Sequence, residues 1–443
     1  MTAPGVNAGP VQTVQLPRKL GMLDATLIVI GIVIGSGIFL LPNLIARNLP
    51  SAAAMIAVWI VAGVLSFFGA LAYAELGAMM PDTGGQYVFL REAYGPLCAF
   101  LSGWVFVLAV LPGGTAFLAV GFSIYLDHFV PLTAAMRTTI SLALVGVLSA
   151  INYVGVREGA WVQRVFTSLK IAGLALVIGA AFLAPHGART ASSAGTFSYS
   201  GIGFAMTACL MAYNGWSYVS FVAGEVREPQ RNLPRSLALA MLVVMALYVS
   251  ANLAYLHVLS VPEIAAAERV GGEVAQRTMG PAGAGILSAI VLLSVTGAIN
   301  GCILTGARVP FAQARDGLFF SQFARIHPRF QTPSFAIVAQ AVWAGVLIAT
   351  GSYETLYSYA MLSGWIFYTL SVVAVWILRR RRPEAVRPYR MWGYPWTLWA
   401  FVVVSVWFMM DALVNQTKTS LIAVGIAAAG VPLFYFWSRG EEG

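Results

Sequence analysis

Three glycines and a serine interrupt an apolar run at Ile30-Gly31-Ile32-Val33-Ile34-Gly35-Ser36-Gly37-Ile38-Phe39, and a second run is broken at Leu210-Met211-Ala212-Tyr213-Asn214-Gly215-Trp216. Each break lies near the middle of a stretch long enough to cross a bilayer. A helix interrupted in hydrocarbon exposes N–H and C=O groups, which are costly unless a ligand, water or a neighbouring helix satisfies them. Such groups are themselves a binding chemistry. A half-helix N-terminus holds a carboxylate and unwound carbonyls hold an ammonium or a cation, the arrangement expected of transporters built on discontinuous helices. Packing alone is the alternative for either break, because small residues let transmembrane helices approach closely. A third feature is Lys170, about twelve residues or roughly 18 Å into an apolar segment at helical rise. A lysine near the bilayer midplane is beyond easy snorkelling reach and is a functional candidate by default.

The elements that carry these residues follow from composition. The chain has 443 residues, 59% hydrophobic and 10% charged, against about 25% charged in a soluble domain. Twelve apolar segments approach the span length of roughly 20 residues: 23–46, 52–79, 96–126, 134–153, 158–183, 200–222, 236–260, 282–309, 334–350, 354–378, 396–414 and 419–437. An all-α polytopic membrane protein of twelve transmembrane helices is predicted. Met1 to Gln15 lacks the basic start, apolar core and cleavage site of a signal peptide, and reads as a cytosolic tail. Cys98, Cys209 and Cys302 all lie in or beside apolar segments, so no disulfide framework is implied.

The formal charge of +9 reports topology rather than nucleic-acid binding. With a cytosolic N-terminus the inner segments hold Arg18, Lys19, Arg91, Arg157, Arg164, Arg227, Arg231, Arg235, Arg308, Arg315, Arg325, Arg329, Arg379 to Arg382, Arg387, Arg390 and Arg439. The outer ones hold Arg47, Arg137, Arg189, Arg269, Arg277 and Lys418. Nineteen against six satisfies the positive-inside rule and predicts cytosolic termini. The basic 379–395 segment is read as a topology anchor, with attraction to anionic lipid headgroups as the alternative.

The breaks fall in the first and sixth spans, the leading members of two five-span repeats, and paired interruptions of this kind point to a midplane site. The expected organisation is a cytosolic tail over 1–19, a first inverted repeat over 20–183, a second over 200–378, two further spans over 396–437 and a cytosolic tail over 438–443. Enzyme chemistry is disfavoured. His128, His186, His257 and His327 sit near span ends or loops without metal-ligand spacing. The Gly31-to-Gly37 run has no βαβ context for a nucleotide. No catalytic residue, metal site or cofactor is expected.

Further motifs specify more. Gly35-Ser36-Gly37-Ile38-Phe39, Ala74-Glu75-Leu76-Gly77, Pro81-Asp82-Thr83-Gly84-Gly85-Gln86-Tyr87, Gly224-Glu225-Val226 and Pro229-Gln230-Arg231-Asn232-Leu233-Pro234 occur in order. In these the chain resembles the amino acid-polyamine-organocation superfamily, and within it the L-type amino acid transporter branch with its bacterial members. The resemblance runs from about Leu20 to Trp437. It implies a twelve-span, five-plus-five inverted-repeat (LeuT-like) core and transport of amino acids, often by one-for-one exchange.

The resemblance also implies the site. The amides of Ser36, Gly37 and Ile38 would receive a substrate carboxylate, and carbonyls near Ile34 and from Met211 through Ala212 and Tyr213 to Asn214 would receive its ammonium. Gly35 and Gly215 belong to the same breaks. Met211, Tyr213, Trp216, Ile299 and Gly364 are candidate walls, with Gly364 standing where related carriers have a polar side chain. None of these walls is acidic, which favours small or medium neutral amino acids over cationic amino acids or polyamines. Lys170 would lie beside the first break, where sodium-coupled relatives of the fold hold a cation. Three roles stay open for it: replacing that cation, coupling transport to protons, or polar packing. Glu75 is read as a gate or packing residue and Pro112 as a bend in the third span. Glu225, with Arg227, Glu228, Arg231 and Arg235, is a candidate gate, and Asn300 needs an internal polar partner. Animal members of the branch can be disulfide-linked to a single-span glycoprotein. The loop from Asp127 to Thr133 has no cysteine here, so no such partner is expected, and a prokaryotic plasma membrane is the expected location.

Overall fold

The computed structural model describes residues 16–185, 199–351, 353–415 and 417–439. The tails over 1–15 and 440–443, with Arg189 and His186, fall outside the described residues. The first half contains α1 (Met22–Val33), α2 (Gly37–Asn48), α3 (Ala52–Met79), α4 (Gln86–Tyr94), α5 (Pro96–Val105), α6 (Leu111–Leu126), α7 (Ala134–Val154) and α8 (Val156–Leu183). A π-helical turn, Phe106–Val110, joins α5 to α6. The second half contains α9 (Tyr199–Ala212), a 3₁₀ segment Trp216–Glu225, α10 (Pro229–Val258), α11 (Val261–Ala266), α12 (Val270–Met279), α13 (Ala282–Gly306) and α14 (Arg308–Arg315). After these come α15 (Ser334–Thr350), α16 (Tyr353–Arg381), α17 (Trp396–Asn415), α18 (Thr417–Ala428) and α19 (Gly430–Arg439). Among the described residues the only extended pairing is an isolated bridge between Leu20 and Val226.

The protein is an all-α polytopic membrane protein. Among the described residues eight helical segments are long and apolar enough to cross a bilayer, and the bent pair α1 and α2 makes a ninth span. Local chemistry sets the ends. Ser51 and Thr133 cap α3 and α7 by accepting from Ala54 N at 3.5 Å and Met136 N at 3.3 Å. Gly95, at φ 94°, turns the chain before Pro96 opens α5. The helices α4, α11 and α12 were not read from the sequence, because they are short and lie outside the apolar runs. In the loop helix α11, Ser260 donates from both its hydroxyl and its backbone N to Glu263, and Arg277 adds a further bond. These bonds hold the Glu263 carboxyl down at a pKa of about 2.

Burial divides the bundle. Helix α1 is enclosed by α8, α10 and α13, and every residue from Ala25 to Val33 is buried. The peripheral helices instead expose Val147, Leu176, Val342, Val403 and Leu421. In water such a belt would drive aggregation, whereas in a bilayer it meets acyl chains. The close approach of α1 to α8 depends on Gly31. A Cβ there would stand 1.9 Å from Gln163 Nε2 and 2.4 Å from Thr167 Oγ1. Gly31→Ala is therefore expected to overpack the contact by about 1–3 kcal/mol, read as a lowered melting temperature of the purified protein.

Candidate functional site

Helix α1 ends at Val33 and α2 starts at Gly37, with a bend of 43° between them. Ile34 leaves the helix with ψ 91°. The amides of Ser36, Gly37 and Ile38 fall just before or within the first turn of α2, where a helix supplies no acceptor of its own. The carbonyls behind the break are held from the other side. Lys170 Nζ donates to Gly31 O at 2.8 Å, Ile34 O at 2.7 Å and Ser294 O at 2.8 Å. An ammonium has three protons, so all are engaged. Ser294 Oγ adds a bond to Ile34 O at 2.9 Å. Both lone pairs of Ile34 O are then filled from within the protein, which corrects the expectation that this carbonyl receives a ligand.

The second break uses different chemistry. Gly215 takes φ 112°, a left-handed conformation, and its N–H is bound by Asn214 Oδ1 at 2.8 Å. The chain then continues as ten residues of 3₁₀ helix, longer than the usual three or four. The two breaks touch: a Cβ on Gly215 would lie 2.6 Å from Ile32 Cγ2, and one on Gly37 would lie 3.7 Å from Ala212 Cα. Tyr248 joins them from α10, its hydroxyl lying 2.9 Å from Val33 O and 3.1 Å from Ala212 O. Tyr248→Phe is expected to lower stability by about 1–2 kcal/mol, since two buried carbonyls lose one donor. Thermal unfolding of the purified protein measures it.

A cavity of about 370 Å³ lies at the breaks, lined by Gly35, Ser36, Gly37, Met211, Ala212, Asn214 and Gly215 together with Ile32, Val33, Leu40, Leu41, Val110, Gly114, Phe117, Leu118, Tyr218 and Cys302. Among these described lining residues none is charged. Ile34, Ile38, Tyr213, Trp216, Ile299 and Gly364 do not line it. Tyr213 packs on Trp59 and Tyr248, and Trp216 on Tyr73, Tyr368 and Phe401. Gly364 stands behind the lining, where a Cβ would meet Val110 Cγ2 at 3.5 Å. The contribution of α6, and those of Tyr218, Tyr248 and Ser294, went unread in the sequence. Only Cys302, within Asn300-Gly301-Cys302, and Pro112 signalled their helices.

The sequence model of the amino acid permease family matches residues 20–431. The chain belongs to that family. It is 31% identical over 425 residues to the serine/threonine exchanger SteT of Bacillus subtilis, covering 95% of this chain and 97% of that protein. It is 30% identical over 436 residues to the human b(0,+)-type amino acid transporter 1, covering 96% and 88%. To the human large neutral amino acids transporter small subunit 2 it is 32% identical over 452 residues, covering 96% and 82%. The superfamily and branch read from the motifs are borne out, and the protein is an amino acid transporter, not an enzyme. Among the described residues no cluster of three His, Cys, Asp or Glu side chains is placed to hold a metal ion.

In this permease the arginine-rich end is laced by ion pairs. Glu225 and Arg308 form a bidentate pair at 2.7 and 3.0 Å, 0% and 1% exposed. Glu75 binds Arg379 at 2.6 and 2.9 Å, accepts from Met391 N at 2.6 Å and faces Arg387 at 3.7 Å. Arg91 pairs with Asp316. Of the remaining charges after the sixth span, Arg231 and Glu228 form an exposed pair at 3.8 Å. The turn before α4 packs at the same end, with Gly84 N donating to Phe221 O at 2.9 Å. Gly85, at φ 47°, lies where a Cβ would come within 2.6 Å of Ser220 backbone. Pro112 lacks the N–H that would bind Leu108 O, and that carbonyl accepts from Trp343 Nε1 at 2.8 Å. Asn300 donates to Gly159 O at 2.9 Å and Gln163 Oε1 at 2.8 Å, and accepts from Asn152 Nδ2 at 2.8 Å, tying α13 to α7 and α8.

Proposed function

We propose that the permease exchanges small or medium neutral L-amino acids one for one, without sodium, by alternating access. The observation that carries this reading is a cavity bounded by both helix breaks with no charged lining residue. A zwitterion is electrically balanced, so the amides of Ser36 and Gly37 receive its carboxylate, and the carbonyls of Gly35, Met211, Ala212 and Asn214 receive its ammonium. An arginine or polyamine side chain would bring a desolvated charge without a partner. Lys170 serves as a fixed cation that holds the first break, in place of a bound ion.

The same reading gives twelve spans in two inverted repeats, 20–183 and 200–378, with 396–437 outside the symmetry. The nine spans already counted are completed by α15, by α9 with its 3₁₀ continuation, and by α18 with α19. The arginine-rich end faces the cytosol with both termini, in a prokaryotic cytoplasmic membrane. Membrane lipids cover the apolar belt, and no disulfide-linked heavy chain is required.

Counterflow tests the proposal. Radiolabelled neutral amino acids accumulate in proteoliposomes preloaded with unlabelled substrate and not in empty ones, with no response to sodium or to an imposed pH gradient. Uptake into empty vesicles driven by a pH gradient would replace exchange with proton coupling. Preference for arginine would overturn the substrate class.

A further inference from the structure

A second cavity, of about 320 Å³, adjoins the first and shares Ser36, Leu40, Phe117 and Leu118 with it. It reaches the surface at the arginine-poor end, where Glu268 and Arg269 line it. The Arg269 guanidinium lies over the Tyr125 ring, 5.3 Å from its centroid, which fixes the cation against the wall and leaves its N–H edges directed elsewhere. The charged neighbours are committed. Arg277 binds Glu263 and Glu273, Arg137 binds Asp127, and Arg47 donates to Ala265 O. Among the described residues no ion pair or hydrogen bond engages the side chain of Glu268 or of Arg269. One anion and one cation, adjacent in sequence, therefore stand unmatched at the mouth of a passage to a charge-free cavity.

We infer that this vestibule is a second, shallower binding site that takes the zwitterionic substrate before it reaches the breaks, Arg269 receiving the carboxylate and Glu268 the ammonium. The inference rests on the proposed exchange of neutral amino acids. A charged outer site raises the local concentration of a zwitterion and orients it, and the inner one strips the charged contacts away in favour of backbone dipoles.

Proteoliposomes holding the full chain in one orientation test it, with radiolabelled L-serine and L-leucine as probes. Arg269→Ala is expected to raise the half-saturating concentration at the arginine-poor face about five- to tenfold. The maximal rate and the half-saturation at the arginine-rich face should be unchanged. Arg269→Lys restores most of the loss, and Glu268→Gln gives a smaller shift in the same direction. Raising ionic strength from about 20 to 300 mM weakens the unmodified protein at that face alone and moves Arg269→Ala less, because only Glu268 keeps its charge in the outer site of that variant. Equal shifts at both faces, or salt-independent half-saturation in the unmodified chain, overturn the vestibule site while exchange itself persists. If Arg269→Ala does not fold, Glu268→Gln and the salt dependence decide. Absence of counterflow by the unmodified chain for every neutral amino acid overturns both readings together.

Discussion

Replacement of Lys170 by methionine is expected to abolish exchange and to lower the melting temperature more than Gly31→Ala or Tyr248→Phe. Methionine keeps most of the stem and removes the ammonium, so the carbonyls of Gly31, Ile34 and Ser294 lose the donor that holds them at 2.7–2.8 Å. A buried carbonyl left unsatisfied costs about 1–3 kcal/mol. Ile34 O keeps Ser294 Oγ and Ser294 O keeps its place in the α13 ladder, so Gly31 O alone is abandoned, at about 1–3 kcal/mol, and the two other charge-assisted bonds lost add about 1.5–3 kcal/mol each. The first break is then free to rewind or collapse, and the amides of α2 lose their aim. Arginine should not substitute, because its planar fork cannot converge three bonds from one nitrogen. Thermal unfolding and counterflow of Lys170→Met and Lys170→Arg check this. Exchange above about a third of the unmodified rate in Lys170→Met, a difference of less than 1 kcal/mol at a tenfold rate per 1.4 kcal/mol, would remove the ammonium from the account of the break.

The second large effect is expected at the arginine-rich end. Glu225 and Arg308 are both buried and bind through two parallel bonds, so neutralising one partner leaves an uncompensated charge and costs about 3–5 kcal/mol. Glu225→Gln and Arg308→Met should each destabilise the arginine-rich end by a factor of roughly a hundred or more, at 1.4 kcal/mol per tenfold. The double variant should recover most of the stability, since removing both charges removes the desolvation penalty as well. A double-mutant cycle on melting temperature reads the coupling. Modification of Ser220→Cys by a thiol reagent reads the opening, because Ser220 is buried against Gly85. It should be protected in the otherwise unmodified protein and labelled in either single variant. Additive single effects, or a double variant no more stable than the singles, would show that the pair does not hold this end shut.

Much of the candidate site is legible in the sequence. Glycine, serine and asparagine in mid-run mark where a helix cannot continue cheaply, and a lysine at the midplane must find partners. These are local statements, and hydrocarbon makes them strict because no water is there to satisfy the exposed groups. Partner identity was not legible. Glu225 was grouped with the arginines that follow it in sequence, yet its partner Arg308 is 83 residues away. Tyr248 carried no signal, since a tyrosine in an apolar span reads as packing until the carbonyls of two breaks are brought to its hydroxyl. Trp216 and Gly364 were placed at the cavity from the resemblance and lie behind its lining, because helix rotation decides which face a residue presents.

The sequence alone determined that this chain crosses a membrane repeatedly, that its first and sixth apolar runs are interrupted, and that Lys170 lies in mid-span. The reason is the solvent: a bilayer penalises every unsatisfied backbone group and every lone charge. Only the tertiary structure decided which carbonyls Lys170 fills, that Ile34 O is already saturated, that the cavity at the breaks adjoins a second one lined by Glu268 and Arg269, and that Glu225 pairs with Arg308. Those outcomes depend on contacts between residues far apart in the chain. Apolar transmembrane helices look alike in composition whichever face meets lipid or a neighbour, so no local pattern specifies them.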